Sequence, residues 1–290
     1  IRLLVRSRNQ SLSRTVPERY PWTMPSVEVK GVALHYQERG SGPEALVFSH
    51  SYLLDSSHFG PQMSALSPHY RCIAFDHRGH GGSERPQSGY DMETLYTDAV
   101  AFIRAMNCAP VHFVGLSTGG FIGLRLGFRR PDLLRTLTLM DSSAQAEPTH
   151  KRLQYGLMTK VVAVTGMRPF AGYVMSQFFS KRSRRDPAKR AELSRFRRMI
   201  VDNDAETMVK FGRGILARQS VLEHLPEISV PTLVIVGEKD KPQPPARARR
   251  MAEAIPDAEL LLVPDAAHIS TVDSPDLVNA ALVRHFRRSR

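Results

Sequence analysis

Residues 111–120, VHFVGLSTGG, decide the fold that we predict for this chain. A short run typical of a buried strand leads through Gly115-Leu116-Ser117-Thr118-Gly119 into apolar residues at helical spacing. The pattern G-x-S-x-G alone is a weak signal, but a strand before it and a helix after it are what a nucleophile elbow requires. The flanking glycines allow the backbone to approach closely at so sharp a turn. We therefore predict that Ser117 is exposed at the turn as a nucleophile.

Strand-like and helix-like segments alternate on both sides of this elbow. Eight runs predict strands, the first two as a hairpin around Gly31: 27–30, 33–38, 45–49, 71–75, 111–114, 134–140, 232–236 and 259–263. Four segments carry helical spacing: 95–106, 119–130, 247–255 and 277–286. The alternation predicts an α/β fold, a mostly parallel eight-stranded sheet with helices on both faces.

Residues 145–226 break the alternation, because they contain no strand-like run. Apolar residues repeat there at helical spacing, namely Leu153, Leu157, Val161 and Val164. We predict a helical cap at 145–226, inserted into a core formed by 24–144 and 227–290. Such an insert would cover the crevice at the carboxyl edge of the sheet, where ligands bind in open α/β folds. The alternative is a set of ordinary surface helices away from any site.

A serine hydroxyl needs a base within hydrogen-bond reach, and the base needs a carboxylate to hold it in one tautomer. Asp240 follows the predicted strand TLVIV, and His268 follows the predicted strand ELLLV. Both residues therefore leave the carboxyl ends of late strands, at the edge where Ser117 is expected. We predict Ser117 as nucleophile, His268 as general base and Asp240 as the acid that orients the histidine.

Other acids and histidines lie near these positions. Asp141, directly after LRTLTLM, is a second candidate acid from an earlier strand, and we rank it behind the acid after TLVIV. Glu238 and Asp265 are expected to be solvated turn residues. His77 and His80 come too early in the chain to be the base, so we expect them to structure their loop.

A tetrahedral intermediate needs two backbone N–H donors. One should come from Thr118, at the start of the helix, and the other from Tyr52 in the loop after ALVFS. The Tyr52 ring is expected either to wall the acyl pocket or to pack under the cap. We also expect His50, Ser51 and Phe121 to contact substrate.

These elements fall in the order of a known superfamily. The loop 50–52, the segment FDHRGHGGS (75–83), VGLSTGG (114–120), DSSA (141–144) and the late acid and histidine resemble the α/β hydrolases over residues 27–286. Within them, the chain is most similar to the branch of enol-lactonases, carboxylesterases and perhydrolases. The resemblance implies a Ser-His-Asp triad and no metal or organic cofactor. The sequence departs from the family pattern at Ser51, where most members have glycine. The Cβ of Ser51 restricts the backbone of the loop 50–52, so the shape of this loop is expected to differ from that of the family.

The resemblance also narrows the chemistry. Haloalkane dehalogenases and epoxide hydrolases have aspartate at the position of Ser117, so the resemblance excludes these two classes. A long-chain lipase needs a large apolar lid, whereas the second half of this cap is strongly cationic, so a lipase is also disfavoured. We predict a serine hydrolase that cleaves carboxylic esters or lactones of small to medium acyl groups through an acyl-enzyme. The alternatives are a cofactor-free perhydrolase or haloperoxidase, a carbon–carbon bond hydrolase with the same triad, and a ligand-sensing binding module.

Charge and composition bound the partners. The chain has 40 Lys and Arg against 28 Asp and Glu, a net charge of +12, with nine basic residues in 181–198. That cluster lacks the interleaved aromatic residues of a base-stacking surface, so we expect a solvated helix face and no nucleic-acid partner. Apolar runs are too short for a membrane span. We expect Cys72 and Cys108 to act as small buried hydrophobic residues. We further expect no bound metal, a small-molecule substrate and a cytoplasmic location. The sequence is compatible with a homodimer but does not determine the oligomeric state.

Residues 1–23 are rich in arginine and serine and show no sustained period. We expect a poorly ordered basic leader there, before a domain that begins near Met24. An organelle transit peptide has a similar composition and is the alternative.

Overall fold

Eight strands form one sheet in residues 25–289, the part of the chain that the computed structural model describes. They are β1 (Ser26–Val29), β2 (Val32–Arg39), β3 (Ala45–Ser49), β4 (Arg71–Phe75), β5 (Val111–Leu116), β6 (Leu134–Met140), β7 (Thr232–Gly237) and β8 (Ala258–Val263). Their order across the sheet is β1-β2-β4-β3-β5-β6-β7-β8. The pairs β1–β2 and β2–β4 are antiparallel and all later pairs are parallel. The predicted mostly parallel, eight-stranded sheet is confirmed.

The central strands are apolar throughout because helices cover both faces of the sheet. All residues of β3, β5 and β7 are buried. Successive side chains point to opposite faces, so Leu46 and Phe48 join one apolar cluster and Val47 joins the other. The sheet is thus the middle layer between two hydrophobic cores, as a parallel sheet requires.

The helices alternate with the strands outside one long insertion. The core helices are α1 (Gly60–Leu66), α2 (Met92–Ala105), α3 (Thr118–Arg129), α9 (Pro245–Ala254), α10 (Ser270–Asp273) and α11 (Pro275–Phe286). Four of them match the helices predicted from periodicity, with ends that differ by at most three residues. The extra turn at the start of α2 is stabilised by Asp91, whose carboxylate accepts a hydrogen bond from the Thr94 amide.

Only helices and loops lie between β6 and β7 in the described chain. They include α4 (Thr149–Thr165), α5 (Ala171–Phe178), α6 (Lys181–Arg185), α7 (Arg190–Val201) and α8 (Ala205–Ala217). The predicted leader, residues 1–23, lies outside the described residues. Within 25–289, no helix is long and apolar enough to span a membrane.

Candidate active site

Ser117 occupies the sharp turn between β5 and α3. Its φ of 53° and ψ of −106° lie in a region that side-chain-bearing residues rarely adopt. The turn is held by the Ser117 amide, which donates to the Met140 carbonyl at 2.8 Å. A Cβ at Gly115 would overlap the backbone of Gly119, and a Cβ at Gly119 would overlap the carbonyl oxygen of Ser49. Glycines are therefore required on both sides of the serine.

Three side chains meet at the carboxyl edge of the sheet. His268 Nε2 lies 3.0 Å from Ser117 Oγ, and His268 Nδ1 lies 2.9 Å from Asp240 Oδ2. All three residues are buried, so the prediction of an exposed serine is wrong: helices of the insertion lie over the turn, and Ser117 faces an internal cavity instead of solvent. Because the carboxylate can only accept, Nδ1 carries the proton and Nε2 is left as the acceptor for the serine hydroxyl. The structure thus brings together the three residues that the sequence placed at the ends of β5, β7 and β8.

Two opposing effects set the protonation of His268. Burial lowers its pKa, whereas the charge of Asp240, the hydrogen bond to that carboxylate and the charge of Asp141 raise it. The net result is a pKa above the ordinary histidine value of 6.5. The imidazolium that forms when the histidine takes a proton is therefore stabilised at this site.

A second buried carboxyl group, Asp141, holds the loops that carry the acid and the histidine. It accepts hydrogen bonds from the Gly237 amide at 2.9 Å, the Ser270 amide at 3.2 Å and the Ser270 hydroxyl at 2.6 Å. Burial, reinforced by the charge of Asp240, raises the pKa of Asp141 to about 8. The sequence flagged Asp141 as a rival acid, but in the described chain the ring of His268 bonds to Asp240 instead.

The two amides expected to bind an oxyanion are free of protein acceptors among the described residues. The Thr118 amide belongs to the first residue of α3, where helix N–H groups have no intrahelical partner. The Tyr52 amide lies in the loop after β3. Ser51, where the resemblance leads us to expect glycine, does not have a positive φ; the bend falls on Leu53, at φ 69°. The serine is therefore accommodated without strain at its own φ.

Buried histidines hold the loop after β3, which carries the proposed Tyr52 donor, through hydrogen bonds. His50 accepts a hydrogen bond at Nε2 from the His77 amide, and its Nδ1 donates to the Ser51 carbonyl, each at 2.8 Å. His80 Nε2 accepts from the Leu53 amide at 3.4 Å. His50 is fully buried and does not line the cavity described next, so its contacts favour loop support over the substrate contact expected from the sequence.

A cavity of about 190 Å³ opens beside Ser117 and His268. Its base includes Ser51, Tyr52 and Phe121, and helices α4, α5 and α8 form its other walls. Most of the lining is apolar, with Met158 and Val162 from α4 as examples. The insertion between β6 and β7 therefore covers Ser117, and the lining of the cavity is suited to an apolar group.

One wall of the cavity carries a buried ion cluster that the sequence did not indicate. Glu147 Oε1 accepts from Arg218 at 2.7 Å and from Arg247 at 3.1 Å. The Arg218 guanidinium also lies over the Phe121 ring, 4.1 Å from its centroid. Burial raises the pKa of Glu147, but the two arginines more than offset this and hold it below its usual value.

Comparison with known proteins identifies the family. The sequence profile of the α/β hydrolase fold matches residues 44–275. The chain belongs to the α/β-hydrolase family. The sequence is 30% identical to a protein of Agrobacterium fabrum named putative carbamate hydrolase RutD. The match covers 79% of this chain and 87% of that relative. The sequence is also 27% identical to 3-oxoadipate enol-lactonase 2 of Acinetobacter baylyi, over 91% and 96% of the two chains.

A solved enol-lactonase structure has the same fold as this chain. The enol-lactonase from Burkholderia xenovorans LB400 superposes on this α/β hydrolase with a TM-score of 0.84 and 30% identity, covering 91% of this chain and 100% of the other. The resemblance to the enol-lactonase branch is confirmed, and the chain is a hydrolase of this fold. Among the described residues, no cluster of His, Cys, Asp and Glu has the arrangement of a metal site.

Proposed function

We propose that this hydrolase cleaves carboxylic esters or lactones of small to medium acyl groups through an acyl-enzyme on Ser117. The observation that carries the proposal is the continuous hydrogen-bonded path from Ser117 Oγ through His268 to Asp240. This path activates a hydroxyl that is otherwise a poor nucleophile. The enol-lactonase relatives support the same substrate class, an acyl group bonded to an oxygen leaving group.

The chemistry proceeds in two halves. His268 Nε2 takes the proton as Ser117 Oγ attacks the carbonyl carbon, and the amides of Thr118 and Tyr52 bind the oxyanion. Collapse of the tetrahedral intermediate breaks the bond to the leaving oxygen, which receives the proton from His268. Water then attacks the acyl-enzyme with His268 again as base, which releases the acid and restores the serine. Asp240 orients the ring through its hydrogen bond to Nδ1.

The cavity accounts for the expected acyl preference. Its volume of about 190 Å³ and its apolar lining favour an alkyl or aryl acyl group of small to medium size. A panel of p-nitrophenyl esters from acetate through butyrate and octanoate to palmitate, with several lactones, measures this preference. We expect the highest kcat/KM at short to medium chains.

Replacement of the nucleophile tests the mechanism. Ser117→Ala should lower kcat by about 10⁴-fold or more, whereas Ser64→Ala, at an exposed serine on α1, should leave it unchanged. A fluorophosphonate probe should add to Ser117 alone, as read by peptide mass spectrometry. Near-native turnover by Ser117→Ala would refute the proposal. Peroxide-dependent halogenation faster than ester cleavage would instead support a perhydrolase with the same triad, and no turnover at all would favour a binding module.

A further inference from the structure

Helix α4 is apolar on two opposite faces. One face packs inward, where Tyr155, Met158 and Val162 line the cavity. The other face consists of four large apolar side chains that are exposed: Leu153 at 71%, Leu157 at 65%, Val161 at 43% and Val164 at 87%. At roughly 100° per residue, these four lie within about 80° of one another around the helix. They form one continuous stripe, which we call the α4 stripe.

Such a stripe requires a partner. Single exposed apolar residues are ordinary, but a contiguous apolar strip on a surface helix marks an interaction site. A helix that is hydrophobic on both sides is normally buried on both sides. The described residues that are not in α4 leave the stripe uncovered, although they cover the inner face through α8.

The charge around the stripe indicates the chemistry of the partner. Residues 148–185 contain eight Lys or Arg and no Asp or Glu. Arg152 and Lys160 on α4 itself are exposed, and α4 contains no Asp or Glu. Apolar side chains combined with unopposed basic ones are the composition of a helix that lies in the interface of an anionic membrane.

We propose that the α4 stripe docks this hydrolase onto an anionic lipid surface. Leu153, Leu157 and Val164 would enter the boundary between headgroups and acyl chains, and Arg152 and Lys160 would contact the phosphates. A second copy of the chain fits less well, because a two-fold contact would place two basic surfaces against each other. The docked helix is also the one that walls the cavity, so apolar esters dissolved in the lipid would lie close to the site. The docking itself does not depend on the proposed ester chemistry.

Co-sedimentation with vesicles tests this proposal. Wild-type protein should bind vesicles of phosphatidylcholine with phosphatidylglycerol, and binding to phosphatidylcholine alone should be weaker by about tenfold or more. The double variant Leu153→Ser/Leu157→Ser should lose about tenfold or more of the binding, because two exposed leucines no longer enter the lipid. Arg152→Gln/Lys160→Gln should lose the preference for phosphatidylglycerol and most of the salt dependence.

Matched controls separate docking from folding and from catalysis. Leu277, on α11, is 41% exposed and lies outside the stripe, so Leu277→Ser should bind vesicles like the wild type. Ser117→Ala should also bind like the wild type, whatever its activity. Circular dichroism and Tm should show that every variant is folded.

Two results of the vesicle assay overturn the proposal: binding by the Leu153→Ser/Leu157→Ser variant that equals the wild type, or no binding by the wild type. A wild-type dimer in sedimentation velocity that this double variant abolishes, without vesicle binding, assigns the stripe to a second copy and overturns it as well.

Discussion

The hydroxyl of Tyr52 donates a hydrogen bond of 2.7 Å to the carbonyl oxygen of Met208. The bond joins the loop after β3 to helix α8 of the insertion, across 156 residues of sequence. The Tyr52 ring also lies nearly parallel to that of Phe211, with centroids 5.7 Å apart. The loop that presents the proposed oxyanion donor is therefore attached directly to the helices that cover the cavity.

Tyr52→Phe should slow ester hydrolysis while leaving the fold nearly unchanged. The phenylalanine ring can keep the contact with Phe211, but the hydrogen bond to Met208 is lost. We expect the free energy of unfolding to fall by about 1 kcal/mol and kcat to fall by up to about tenfold as the loop becomes less well positioned. Urea denaturation and steady-state kinetics measure the two effects.

Tyr36→Phe is the control, because Tyr36 lies on β2 and does not line the cavity. It should leave kcat unchanged. A Tyr52→Phe enzyme with wild-type kcat and reduced stability would show that the bond only fastens the insertion to the core.

The sheet, and the meeting of Ser117, Asp240 and His268 at one edge of it, could be predicted from the sequence because their signals are local. Each of the strands β5, β7 and β8 is a short, mostly apolar run. Ser117 follows β5 directly, and Asp240 and His268 lie in the short loops after β7 and β8. Parallel strands place their carboxyl ends at one edge, so the meeting of the three side chains follows from topology. Long-range hydrogen bonds carry no such local signal, and the bond between Tyr52 and Met208 could not be foreseen.

Helix α4 shows a different limit of periodicity. Leu153, Leu157 and Val161 predict a helix correctly, but periodicity cannot tell which of two apolar faces is buried. The structure buries the face of Tyr155 and Val162 and exposes the leucines. The exposed apolar surface of the insertion therefore lies mainly on α4, in its first half, and not in the cationic second half that set this chain apart from a long-chain lipase.

Asp141→Ala should impair both stability and catalysis. The carboxyl group accepts hydrogen bonds from Gly237, three residues before Asp240, and from Ser270, two residues after His268. Its removal leaves buried donors unsatisfied, so we expect the free energy of unfolding to fall by about 2–4 kcal/mol. Because the base and its acid lose their support, kcat should fall by about ten- to a hundredfold with a smaller change in KM.

Asp265→Asn provides the comparison, since Asp265 lies in the loop that leads to His268 but is 52% exposed, and asparagine tolerates the positive φ of 58° at this position. The ion pair between Asp265 and Lys239 is solvated, so its loss should leave stability close to that of the wild type. If Asp141→Ala keeps wild-type kcat at temperatures where it is folded, Asp141 acts on the fold alone and does not position the triad.

The pH dependence of kcat/KM should report His268. Only the neutral ring can accept the Ser117 proton, so activity should rise as pH increases through the pKa of His268. That pKa lies above 6.5 because the raising effects of Asp240 outweigh the lowering effect of burial. We expect half-maximal kcat/KM above pH 6.5, measured with an uncharged ester from pH 5 to pH 9.

Asp240→Asn tests whether His268 causes the rise of kcat/KM with pH, which we call the acid limb of the profile. The variant removes the negative charge beside the ring, so the limb should move to lower pH while kcat falls by about 10⁴-fold. Glu238→Gln, at an exposed position of the same loop, should leave the limb in place. A limb that stays fixed in Asp240→Asn would mean that another group controls the pH dependence.

The buried histidines under the oxyanion loop should make the fold sensitive to acid. Burial is the main cause that lowers the pKa of His80 to about 3, and the pKa values of His50, His58 and His77 are lowered in the same way. An unfolded chain regains ordinary histidines and binds more protons below pH 6.5. Stability is therefore complete above pH 6.5 and falls as pH drops toward 3, with His80 alone contributing a loss of about 2 kcal/mol by pH 5.

Urea denaturation from pH 7.5 to pH 5 measures this loss, and His80→Gln isolates one contribution. Glutamine keeps an acceptor for the Leu53 amide but does not titrate, so the loss of stability between pH 7.5 and pH 5 should shrink by about 2 kcal/mol. His69→Gln removes an exposed histidine and should leave the slope unchanged. If both variants keep the wild-type slope, protonation of other groups destabilises the fold in acid, and the buried rings under the loop do not set its acid limit.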